Sequence, residues 1–318
     1  MSQCRKVLAK RFLLAYRCGI KFLTITPSIN LSKKESFSMR NTKGFSALFS
    51  VFVACVLLFA VSSVKAITYG FVDETNNFAN TGAFIVKLPD GRIYPICTGT
   101  LISPTVFLTA SHCTQYFTAE LEPAGYRAFV SFDNPIPFGE LTSQKTKLIA
   151  VTQVATNPNY NQSQSDSGDI AVLLVSDRDT RGITPAKLPV ANLLDQLSAR
   201  NGLENTVYTN AGYGLQNRVV GGGVPYFQDR NPIPRMYSYS SFNALNNTYL
   251  RLSQNPSTGN GGTCFGDSGG PNFLNVNGTR TLVAITITGD SVCRSTNVTY
   301  RTDAPSARAF LSSYVNLP

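Results

Sequence analysis

Along residues 67–318 apolar and polar positions alternate in short runs, each broken by a cluster of Gly, Pro, Asn, Asp or Ser. That rhythm predicts strands rather than helices. The runs are 83–88, 94–102, 106–110, 128–132, 148–154, 170–175, 207–210, 236–242, 249–252 and 281–288. Asp90-Gly91 is a strong hairpin signal between the first two. One helix is expected near the end, with Asp303 as its cap, Pro305 in its first turn, and Phe310, Leu311 and Tyr314 on one face. The pattern is that of an all-β chain with a terminal helix, and it suits barrels. About 250 residues suffice to bury two cores. The low-hydrophobicity stretch 159–168 and the glycine run 221–223 read as exposed connections. There is no internal repeat and no heptad pattern.

Residues 45–64 follow a different rule: they carry no charge, come after Arg40 and Lys43, and end in Val64-Lys65-Ala66. This is the layout of a signal peptide cleaved after Ala66, and it assigns 39–66 to export. The same length can span a bilayer, so an uncleaved signal anchor holding 67–318 outside the cell is the alternative. Residues 1–38 are basic and rich in Ser and Thr, an extension expected to be non-structural. The chain's net charge of +10 is concentrated in this presegment. Residues 67–318 hold 17 basic and 17 acidic side chains. A nearly neutral domain offers no basic stripe for a polyanion, which argues against nucleic acid as a partner.

The chemistry centres on His112, the single histidine among 318 residues. It lies in Leu108-Thr109-Ala110-Ser111-His112-Cys113, upstream of Gly266-Asp267-Ser268-Gly269-Gly270-Pro271. A hydroxyl is a poor nucleophile near neutral pH, so Ser268 needs a base, and imidazole is the side chain matched to that pH. The G-x-S-x-G elbow of α/β-hydrolases requires its histidine after the serine, and none follows Ser268. A subtilisin-like order requires an acid before His112, where Asp73 and Asp90 lead into no strongly apolar run. The order His, Asp, Ser remains. Asp169 opens the apolar run Ile170-Ala171-Val172-Leu173-Leu174-Val175, which suits a half-buried carboxylate able to hold the imidazole tautomer. Asp166 and Asp177 lack that setting.

Together with Cys97-Thr98-Gly99-Thr100-Leu101, Asn157-Pro158-Asn159-Tyr160 and Gly212-Tyr213-Gly214, these segments make the chain resemble the chymotrypsin-like (trypsin-fold) secreted serine peptidases. The resemblance implies two six-stranded antiparallel β-barrels packed together with a C-terminal helix, over residues 67–318. It implies a catalytic triad of His112, Asp169 and Ser268, and an oxyanion hole formed by the N–H groups of Gly266 and Ser268. It also implies an activation ion pair between the amino group of Ile67, newly freed after Ala66, and Asp267. Four cysteines in this region allow three pairings. The resemblance selects Cys97 with Cys113 and Cys264 with Cys293. A metal site at Cys97, His112 and Cys113 is disfavoured because adjacent ligands cannot easily share one tetrahedral ion. No cofactor and no metal are expected.

The resemblance further places substrate contacts at Gly262, Thr263, Thr288, Gly289 and Val298. Trypsin-like members carry an aspartate where this chain has Gly262. Without that anion a buried Arg or Lys would be desolvated with no partner, so cleavage after basic residues is not expected. Val298 shortens the pocket, which points to small or medium apolar side chains. Asn161, Asn246, Asn277 and Asn297 begin glycosylation sequons. Tyr213 stands where the family has tryptophan. The expected function is a secreted, monomeric serine endopeptidase acting on protein or peptide substrates, free of the membrane once its signal is removed. The alternatives are a catalytically silent binding or regulatory protein of the same fold, or an esterase.

Overall fold

The computed structural model describes residues 67–141, 146–161, 163–218, 226–227 and 231–318. Residues 1–66, with the expected signal segment, and the glycine run 221–223 lie outside them. Six strands close the first barrel: β2 (Thr81–Lys87), β3 (Ile93–Ser103), β4 (Val106–Thr109), β5 (Arg127–Ser131), β6 (Ile149–Thr156) and β7 (Ala171–Val175), in the order β2-β3-β4-β7-β6-β5. The second barrel joins β8 (Val207–Gly212), β11 (Met236–Leu245), β12 (Tyr249–Ser253), β13 (Pro271–Val276), β14 (Thr279–Gly289) and β15 (Thr296–Arg301). It closes through pairing of β8 with both β13 and β11, and the short β1 (Phe71–Val72) adds to β11. A small pair, β9 (Asn217–Arg218) and β10 (Tyr226–Phe227), stands apart. All paired strands are antiparallel, as expected of the barrels.

The strand that opens the first barrel shows why the pattern folds this way. Thr81–Lys87 is buried at every position but the last, because one face meets the barrel interior and the other the neighbouring barrel. Its hairpin to β3 turns at Asp90-Gly91: Gly91 has φ +91°, and the Asp90 carboxylate accepts the Arg92 N–H at 3.0 Å. Phe84, Leu101, Phe107, Val130 and Leu173 fill this barrel. Tyr208, Leu250, Leu252 and Val283 fill the second. A third group, including Leu108, Val172, Phe273, Ile285 and Leu311, runs through the seam between them.

A buried ion pair bolts the seam. Arg235 and Asp73 are both fully buried and meet at 2.8 Å. The guanidinium also donates to the carbonyls of Thr81 and Phe132 in the first barrel and to the Tyr213 hydroxyl. It donates to Asn76 Oδ1 as well. The carboxylate accepts the N–H groups of Asn77 and Phe78. Tyr213 therefore fills the place expected of a tryptophan while adding a hydroxyl that donates to Asp133 O at 2.8 Å, and burial pushes that hydroxyl up to about 12.

Two expectations are corrected. The terminal helix α3 (Pro305–Leu311) has Ala304, not Asp303, at its N-cap. Asp303 is drawn away by Arg301 at 2.9 Å and by the N–H of Leu194, the second residue of helix α2 (Leu193–Ser198). Asn297 is not a surface sequon. It is fully buried in β15, and its amide donates to Asn272 Oδ1 and Thr286 Oγ1, the atoms a glycan would have to displace. Asn161, Asn246 and Asn277 are exposed.

Replacing Arg235 with Met leaves the Asp73 carboxylate buried without its partner. Arg235→Met is expected to lower unfolding stability by about 3 to 5 kcal/mol, measured by urea denaturation at neutral pH.

Candidate functional site

The site lies where the ends of β4 and β7 meet the turn that leads into β13. After β4 the chain enters the short helix α1 (Ser111–Tyr116), whose first N–H groups have no partner within the helix. One of them, that of His112, donates to Asp169 Oδ1 at 2.9 Å. The same carboxylate meets the ring at 2.8 Å, through Oδ2 and Nδ1. Because an ionised carboxylate only accepts, this contact places the ring proton on Nδ1 and leaves Nε2 with its lone pair. The Ser111 hydroxyl donates to Ile170 O at 2.7 Å and accepts the Asn157 N–H, locking the helix onto the loop that carries Asp169.

Gly168 sets the aim of Asp169. Its φ is +61°, and a Cβ there would come within 2.8 Å of Asn159 O, so both conformation and space require glycine. Asp169 is thereby buried, while the imidazole is about one third exposed.

The third residue arrives from the other barrel. Ser268 sits in a turn between Cys264 and β13, held by Asp267 N–H to Cys264 O at 3.0 Å, Gly269 N–H to Thr286 O at 2.7 Å and Gly270 N–H to Asp267 O at 2.9 Å. The Ser268 carbonyl accepts the Thr98 N–H at 2.9 Å. Gly269, at φ +79°, has no room for a Cβ against Thr109 Oγ1 and Ala110 N, the residues leading into α1. That close approach brings the turn alongside His112. Direct contact joins His112 to Asp169; among the described residues no hydrogen bond joins Ser268 Oγ to the ring. Neither the N–H of Gly266 nor that of Ser268 donates to an acceptor among them, so both are free to meet an anion.

Asp267 is fully buried. Burial raises its carboxyl to about 7, against the N–H bonds from Cys264 and Gly214 that favour the charged form. No ion pair reaches it among the described residues: in the full chain the nitrogen of Ile67 is acylated by Ala66. The segment itself is in place. Ile67 is buried, the Thr68 carbonyl accepts the Gly262 N–H at 2.9 Å, and the Thr68 hydroxyl donates to the carbonyls of Gly262 and Cys293.

Both disulfides implied by the resemblance are formed, Cys97 with Cys113 and Cys264 with Cys293. The first joins the two sulfurs that, with His112, make a group of metal-ligand type, so neither is available as a thiolate. The second clamps Gly262 and Thr263, both buried, to the segment that follows Thr288 and Gly289, which are exposed. Val298 is half-buried and pairs with Thr288.

One residue in this region escaped the sequence. Gln254 is buried, and its side chain bridges the two clamped walls. Oε1 accepts the Thr263 N–H at 2.9 Å, while Nε2 donates to Asp290 Oδ1 at 3.3 Å and Thr296 O at 3.4 Å. A Cβ on Gly262 would overlap both Oε1 and Cβ of Gln254. Burial works to raise the Asp290 carboxyl, but N–H bonds from Thr296, Arg294 and Ser295 outweigh it and hold the group below its ordinary value. The signal available in the sequence was only an amide directly after a strand, which is ordinary.

Comparison with known proteins agrees with this architecture. The profile of the Trypsin family matches residues 71–310. A protein named Trypsin from Phaedon cochleariae is 32% identical over 186 residues, covering 57% of this chain. The match spans 65% of that relative's length. With two closed six-stranded barrels and a family match over most of its length, the chain belongs to the trypsin family and has the fold of its serine peptidases.

Proposed function

We propose that the chain is a secreted serine endopeptidase that cleaves through an acyl-enzyme. Ser268 Oγ attacks the peptide carbonyl, and His112 Nε2 takes its proton and returns it to the leaving amine. Asp169 orients the ring and stabilises the imidazolium. The N–H groups of Gly266 and Ser268 meet the developing oxyanion, where one lost donor typically lowers the rate by about 10² to 10³. The observation that carries this reading is the double grip of Asp169 on His112, through backbone N–H and ring, beside a turn with two unengaged N–H groups. Labelling with a fluorophosphonate probe is expected in the parent and absent in Ser268→Ala. Asp169→Asn is expected to reduce kcat by about 10⁴. Peptide hydrolysis separates this reading from an esterase, and labelling separates it from a silent member of the fold.

The reading includes export and cleavage after Ala66, which frees an ammonium at Ile67 to pair with Asp267. What supports it is the buried Ile67 and the seating of Thr68 on Gly262 and Cys293. Amino-terminal sequencing of secreted protein should begin at Ile67. In the uncleaved chain Asp267 has a folded-state value of about 7, raised from 3.8. Its contribution to stability is thus present at low pH and is lost as pH rises through about 7. The Tm of an uncleaved Ser268→Ala chain should fall across that window, and the form beginning at Ile67 should not follow it.

For specificity we propose a short, neutral primary pocket at Gly262, with Gln254 across its base and Val298 on its wall, taking small or medium apolar side chains. Gly262→Asp alone is expected to destabilise the protein without producing cleavage after arginine, since Gln254 fills the space. Gly262→Asp combined with Gln254→Ala should regain stability relative to the single variant and admit arginine in a peptide-library profile.

A further inference from the structure

We infer that Thr98 is a positioning residue for the turn that meets the oxyanion, an inference that rests on the proposed roles of Ser268 and Gly266. Thr98 belongs to β3, in the first barrel, yet it grips the turn of the second barrel at two points. Its N–H donates to the Ser268 carbonyl at 2.9 Å, and its Oγ1 donates to the Gly266 carbonyl at 2.9 Å. These are the carbonyls of the two residues whose N–H groups stand unengaged. Holding each carbonyl fixes the ψ angle at that residue, and hence the plane of the peptide that follows each donor.

The grip matters most at Gly266. With φ at +97° and no Cβ, this residue has little intrinsic resistance to turning its peptide over. The peptides that carry the two donors are held on their own carbonyls, Phe265 O by the Leu215 N–H at 2.8 Å and Asp267 O by the Gly270 N–H at 2.9 Å. The bonds from Thr98 fix the peptides that follow, so that each donor residue is gripped on both sides. Two other contacts hold Thr98 itself. Oγ1 accepts the Tyr213 N–H at 3.2 Å, which commits its own proton to Gly266, and its carbonyl accepts Thr109 Oγ1 at 2.8 Å. Thr109 leads directly into the helix that carries His112. Thr98 is fully buried, so water offers no substitute for any of these bonds. One threonine thus couples the strand leading to the base with both donor residues beside the nucleophile, through bonds that involve no charge.

The hydroxyl can be removed without changing the shape of the side chain. Thr98→Val should fold with both disulfides and bind a substrate-like peptide with KM within about threefold of the parent, while kcat falls by about 10- to 100-fold. Thr98→Ser keeps the hydroxyl and should restore kcat to within about threefold of the parent. A peptide boronate, which presents an anionic tetrahedral centre, should bind Thr98→Val more weakly by a factor similar to the loss in kcat, and a ground-state product peptide should bind it unchanged. A folded Thr98→Val with parental kcat, or a loss that Thr98→Ser does not restore, overturns the inference. Boronate and product peptide weakened alike would also overturn it, since that marks a general packing defect. Ser268→Ala separates the two levels of argument: if it stays active, the proposed nucleophile is wrong, and if it is inactive while Thr98→Val is normal, only the role of Thr98 fails.

Discussion

A single buried carboxylate organises the site. Asp169 accepts two hydrogen bonds from one residue, the backbone N–H of His112 at 2.9 Å and ring Nδ1 at 2.8 Å. The first satisfies a helix N–H that would otherwise be orphaned, and the second fixes the tautomer, so the start of α1 and the orientation of the imidazole are set by the same group. Its aim depends in turn on Gly168, which alone can take the required turn against Asn159. A substitution at Gly168 would therefore act on the ring without touching it.

The serine turn is held differently. No cation supports it among the described residues: Asp267 has two backbone N–H groups, and burial raises its carboxyl to about 7. The bonds from Thr98, Thr286 and Asp267 to the turn's backbone are all uncharged or internal. Two kinds of support thus converge on the turn. One is already present, and the other is the proposed ion pair, which requires a new amino terminus at Ile67. The proposed pair would convert Asp267 from an unfavourable buried acid into a stabilising partner, and the peptide around Ile67 and Thr68 is already seated in the full chain.

Much of this was legible in the sequence, for physical reasons that also mark where legibility ends. Strands such as β4 and β7 have apolar side chains on both faces, and their runs stand out; a unique histidine left one candidate base. Strands β13 and β15 did not stand out, because the interior of the second barrel is partly polar. Asn272, Thr286 and Asn297 bond to one another there with their side chains buried. A strand that buries asparagine reads as a loop, and the same chemistry made Asn297 read as a glycan acceptor. The hairpin between β13 and β14 did carry a signal, Asn277-Gly278, with φ +50° and +80°. Asp303 misled for a related reason: one carboxylate lay within reach of several donors, and Arg301 took it rather than the nearer helix.

At Gly262, the base of the proposed pocket, one position does not act alone. An aspartate removed would leave a vacancy at this position. Gln254 fills that space, and its amide ties Thr263 to Asp290 and Thr296 across the disulfide-clamped walls. Neutrality and shape at this point are therefore properties of a pair. Glycine is needed because glutamine is present, and glutamine is held because the walls on both sides offer it backbone partners. An acid introduced at Gly262 would meet the Gln254 side chain first, so charge at the base of the proposed pocket cannot be changed independently of volume.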